Sequence, residues 1–113
     1  MAPAMFHIKT SNLNTRFYST LLESVGAQDD GEWVDVSGIN PFTVHIDGLT
    51  TATMQMRGSN APNLPDDTTH GIQLGSDIAV DGIYCVAVPI RWFKVRVVAF
   101  TSGTITAYFE GSN

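Results

Sequence analysis

Trp92-Phe93-Lys94-Val95-Arg96-Val97-Val98-Ala99-Phe100, then Thr101-Ser102-Gly103, then Thr104-Ile105-Thr106-Ala107-Tyr108-Phe109, is the stretch that decides the fold class. Phe93, Val95, Val97 and Ala99 fall on one face, and Trp92, Lys94, Arg96 and Val98 on the other. A period of two belongs to a strand with one buried face, whereas a helix would repeat every 3.6 residues. Thr101-Ser102-Gly103 between two alternating runs predicts a hairpin.

The same period extends outward. Phe42-Thr43-Val44-His45-Ile46 alternates strictly, and Met54 and Met56 face inward between Thr53, Gln55 and Arg57. Glu32-Trp33-Val34-Asp35-Val36 and residues 82–88 read as further strands. The second is apolar on both faces, which predicts a central place in its sheet. Asp47-Gly48 and Asp81-Gly82 are turn dipeptides. Residues 58–67, with Pro62 and Pro65, form a long loop, and Pro89 marks a corner or an edge because it cannot donate to a ladder. In the first 30 residues Phe17, Leu21 and Val25 would align on a helix, and Phe17, Ser19 and Leu21 on a strand; the strand reading is favoured. The expected fold is all-β, a single antiparallel β-sandwich, jelly-roll-like, over residues 16–113, with residues 1–15 an extended N-terminal arm.

Composition agrees. Of the 113 residues, 43% are apolar and only 15% charged, against about a quarter in an average domain. One core can form, and two domains cannot. Eleven acidic against six basic residues, a net charge of −5, argue against a nucleic-acid partner and against an anionic membrane surface. A single cysteine forbids an internal disulfide. The first nine residues lack the charged and apolar regions of a signal peptide, so synthesis in the cytosol is expected, with the protein acting soluble or in an assembly.

No catalytic constellation emerges, and neither an enzyme nor a bound cofactor or metal is expected. His7, His45 and His70 show no ligand spacing. Asp29-Asp30-Gly31-Glu32 and Asp66-Asp67 read as solvated turn acids, with Asp66 and Asp67 the place to look for a divalent ion. Cys85, between Tyr84 and Val86, reads as an inert buried thiol. Trp33, Trp92, Tyr84 and Tyr108 could form an aromatic platform for sugar rings, with Arg91, Lys94 and Arg96 as donors, although aromatics more often fill a thin core.

From Glu32 onward the chain resembles small β-sandwich proteins of tailed-phage structural gene clusters. The residues that carry this are Gly31-Glu32-Trp33-Val34-Asp35-Val36, Met54-Gln55-Met56-Arg57-Gly58-Ser59-Asn60, Asp81-Gly82-Ile83-Tyr84, Val88-Pro89-Ile90-Arg91-Trp92-Phe93-Lys94-Val95-Arg96-Val97 and Thr101-Ser102-Gly103-Thr104-Ile105-Thr106-Ala107. The resemblance implies a non-enzymatic virion structural protein, made in the host cytoplasm. The expected role is capsid decoration (cement): an oligomer, expected to be a trimer, bound to the major capsid protein or another virion protein. A tail or neck accessory role and a carbohydrate-binding module are the alternatives. Partner contacts are expected from Met5, Phe6 and Ile8 on the arm and from Arg91, Trp92, Lys94 and Arg96 on the basic strand.

Overall fold

The chain builds one antiparallel sheet around two unusually long strands. The computed structural model describes the backbone of residues 7–10 and 15–112 and the side chains of residues 16–112. Its strands are β1 (His7–Thr10), β2 (Thr15–Val25), β3 (Val34–Asp35), β4 (Phe42–Ser59), β5 (Ile72–Ile78), β6 (Gly82–Val86) and β7 (Trp92–Ser112). The sheet order is β1-β2-β7-β4-β5, with β3 on β7 and β6 on β4. The all-β, antiparallel reading therefore holds, and no described residue is helical.

β4 and β7 pair along their whole length, from Phe42 opposite Gly111 to Ser59 opposite Trp92. The expected hairpin at Thr101-Ser102-Gly103 does not form, and Asp47-Gly48 is not a turn between strands. Both dipeptides are bulges inside continuous strands, at one level of the ladder, where the register shifts between Asp47 and Ala52. Gly48 (φ +87°) and Gly103 (φ +127°) sit so close to the facing strand that a β-carbon would meet Thr104 O at 1.8 Å and Gly48 O at 2.6 Å respectively. Paired bulges bend a ribbon sharply. The Asp81 carboxylate fixes this bend by accepting from Gly48 N at 3.2 Å and Leu49 N at 2.8 Å.

The bend folds the sheet over, so that its two halves face one another across one core. In the first half β2, the later part of β7, the early part of β4 and β6 lie side by side; in the second, β3, the early part of β7, the later part of β4 and β5. Phe42, Val44, Ile46, Ile105, Ala107 and Phe109 face inward from the first half, and Met54, Met56, Phe93, Val95 and Val97 from the second. This is the alternation expected from the sequence, except at Ala99, which is exposed rather than inward.

Two expectations are corrected, and two further strands are placed. Residues 82–88 do not form a central strand: among the described residues β6 pairs only with β4 and lies at the sheet edge. Its outward side chains are therefore uncovered, and Cys85 is exposed rather than buried. Residues 72–78 form β5, which the sequence reading left unassigned, because Gly75 and Ser76 break its alternation. Of the expected arm, His7–Thr10 form β1, an edge strand paired to β2 with His7 opposite Tyr18 and Thr10 opposite Thr15. The rest of the arm, residues 1–6 and 11–14, lies outside the described residues.

Candidate functional site

The outer face of the second half-sheet was expected to present Trp92, Lys94 and Arg96 to solvent. Instead residues 60–71 lie across it and cover it. Trp92 is 9% exposed and Lys94 0%. Trp33, arriving from the segment before β3, is 6% exposed and packs on the same face. The loop is fastened by four side chains of the sheet and its approaches and by one of its own, Asn60. Trp33 Nε1 donates to the carbonyls of Asp66 and Thr69, each at 3.1 Å. Trp92 Nε1 donates to Ala61 O at 3.0 Å. Arg57 donates from Nε to His70 O at 2.8 Å and from a terminal nitrogen to Gly71 O at 3.1 Å. Asn60 Oδ1 accepts from Arg91 N at 2.9 Å. Lys94 Nζ donates to Asp67 O at 2.8 Å and meets His70 Nδ1 at 3.0 Å, with the Trp33 ring centroid 4.9 Å away.

The chemistry of this cluster follows from its donors. An ammonium only donates, so His70 Nδ1 accepts and the imidazole is neutral with its proton on Nε2. Burial, with Lys94 and Arg96 beside it, holds the His70 pKa below the usual 6.5. Burial likewise lowers Lys94, reinforced by Arg96. Arg96 pairs with Asp30 at 3.0 Å, and that hydrogen bond holds the Asp30 carboxyl below its ordinary value. Only Arg91 of the four basic-strand candidates is exposed, with its guanidinium 5.4 Å from the Trp92 ring centroid. The aromatic platform that these four residues could form does not assemble, and the favoured core-filling reading fits the two tryptophans. Trp33 and Trp92 are covered, Tyr84 packs against the core edge with its hydroxyl on Val80 O, and Tyr108 lies on the other half-sheet. Met5 and Phe6 lie outside the described residues, and Ile8 is opposite Phe17 on β1.

The open surface is the outer face of the first half-sheet. Thr20, Tyr108, His45 and Ile83 lie in register across β2, β7, β4 and β6. Ile83 is 70% exposed and Tyr108 45%, and the His45 and Tyr108 rings are 5.5 Å apart. With Tyr18, Thr43 and Glu110 they line a shallow groove of about 330 Å³. Sequence reasoning placed His45 on a polar face but missed the row, because it needs the order of four strands. Among the described residues no three His, Cys, Asp or Glu side chains gather as metal ligands. Asp66 is engaged in its own turn, accepting from Thr68 N and Oγ1.

The fold so described is that of a small all-β domain built from one folded-over antiparallel sheet. No family model matches the chain, and no curated protein matches it in sequence. The solved structure of SPBc2 prophage-derived protein YomS is similar to it with a TM-score of 0.71 and 14% identity, over 93% of this chain and 99% of that one. At that identity the likeness establishes the shared fold.

Proposed function

We propose that this chain is a non-enzymatic structural protein of a tailed-phage virion, and specifically a decoration protein that binds the capsid lattice as a homo-oligomer. The observation that carries this reading is the end-to-end fold likeness to a prophage-derived protein. The open outer face adds support: the row of Thr20, Tyr108, His45 and Ile83 exposes a tyrosine ring and an isoleucine side by side, and aromatic residues are enriched at interfaces. Mass spectrometry of purified virions, followed by binding of the recombinant chain to capsids lacking it, tests the reading. Saturable binding to capsids at a copy number set by the lattice is expected. Binding to tails or necks alone would assign it there, and absence from virions would overturn the reading. Trimeric association is part of the proposal and is read by light scattering of the free and capsid-bound protein.

A further inference from the structure

The loop of residues 60–71 closes over the sheet around a buried cation that has no carboxylate bonded to it among the described residues. Lys94 is wholly buried, and its ammonium is satisfied by a backbone carbonyl, an imidazole nitrogen and the face of Trp33. Two of these three partners, Asp67 O and His70, belong to the loop. One of the cation's two bonds to the loop therefore exists only while His70 keeps a lone pair on Nδ1.

We propose that residues 60–71 form a proton-operated latch: the loop is shut when the His70 imidazole is neutral, and protonation of that ring releases it from β4 and β7. A protonated imidazole has two N–H donors and no acceptor. It would place two positive charges 3.0 Å apart, one of them the wholly buried Lys94 ammonium. The charged groups around the ring deepen this effect. Lys94 and Arg96 on β7 and Arg57 on β4 are cationic, and only Asp30, already bound to Arg96, opposes them. The Asp67 carboxylate, on the loop itself, reaches Trp33 N at 3.4 Å. The neighbourhood thus favours the neutral ring, and His70 is partly open to solvent, so protons reach it.

The linkage runs in one direction. A histidine whose folded pKa lies below its unfolded value stabilises the closed form fully above about pH 6.5, and that contribution is lost as pH falls through the folded pKa. Gly71 closes the loop against β4 and Trp33: its φ is +56°, and a β-carbon there would meet Gly58 O at 2.3 Å and the Trp33 ring at 3.0 Å. Opening would uncover Lys94, Trp33 and Trp92, so one event changes both tryptophans. The device depends only on this cluster, so it stands apart from the virion reading.

Heteronuclear NMR of the full chain tests it. The His70 ring nitrogens and the Trp33 and Trp92 indole N–H groups are followed between about pH 7.5 and about pH 5. The expected neutral-state signature is a proton on Nε2. The His70 titration and the change at both indoles should share one midpoint below 6.5. Solvent exchange of the Trp33 indole N–H, corrected for intrinsic pH dependence, should quicken by about tenfold or more. His70→Gln supplies an amide oxygen that accepts from Lys94 without titrating, and should remove the transition. Gly71→Ala should show the low-pH indole signals at neutral pH. A transition that persists in His70→Gln, a His70 midpoint displaced from that of the indoles, or indoles unmoved while His70 titrates would each overturn the latch.

Discussion

Phe42 and Phe93 meet edge to face with ring centroids 4.9 Å apart, although they belong to opposite ends of the β4–β7 ribbon. Phe42 is opposite Gly111 and Phe93 opposite Gly58, sixteen residues further along β4. On a straight ribbon those positions would be about 50 Å apart. Their contact is therefore a direct consequence of the bend. Each ring lies across from a glycine, so the inner faces of the ribbon ends have room for aromatic rings where a β-carbon would intrude, as it would at Gly111 against Phe42 Cβ at 2.8 Å.

Truncation of this contact tests the closure. Phe93→Ala should cost about 3–5 kcal/mol, the range for a buried aromatic, and lower the thermal midpoint by more than about 10 °C. A double-mutant cycle with Phe42→Ala should leave a coupling of about 0.5–1.5 kcal/mol. Strictly additive losses in thermal unfolding would show that the two ends of the ribbon fold independently.

The bend itself should depend on Gly48. Gly48→Ala meets both a positive φ and a backbone oxygen at 1.8 Å, so a loss of about 2 kcal/mol or more is expected. Gly38 has a similar φ of +76° but no heavy atom within 4 Å of the added carbon. Gly38→Ala should therefore cost only the conformational part, about 1 kcal/mol. Equal losses, measured by urea denaturation, would mean that the close approach at the bulge contributes nothing.

Lys94 behaves as a core residue. Lys94→Ala should destabilise by about 2–4 kcal/mol, through a cavity beside Trp33 and two lost hydrogen bonds. Arg91→Ala, on the exposed side of the same corner, should cost less than about 1 kcal/mol. Comparable melting temperatures for the two variants would contradict the cover formed by residues 60–71.

Cys85 should react with a small thiol reagent in the native protein at a rate close to that in denaturant, because its side chain faces solvent on an edge strand. Protection by more than about tenfold in the free protein would show that the face is covered, for instance by association of copies.

Alternation alone determined much of this protein. The strict period of two at Phe42–Ile46, at Met54–Met56 and along Phe93–Val97 identified the inward side chains, because a pleated strand leaves them no other direction. What alternation cannot express is whether a strand continues through a Gly-containing dipeptide. Ser102-Gly103 has the composition of a hairpin turn, yet its partner is Leu49 to Thr51 on another long strand, and only that pairing makes it a bulge. Edge or centre was equally hidden: β6 is as apolar as a buried strand, and its place is set by which strands lie beyond it. The outer side chains of β7 show the same limit. A lysine in an alternating strand reads as solvent-facing, because local pattern knows nothing of a loop that arrives from 27 residues away to supply a carbonyl, an imidazole and a cover. Local sequence fixes the pleat and its two faces. Which of those faces meets water is decided by long-range contacts, and here those follow from one bend at Gly48 and Gly103 and from a loop anchored on Trp33, Arg57 and Lys94.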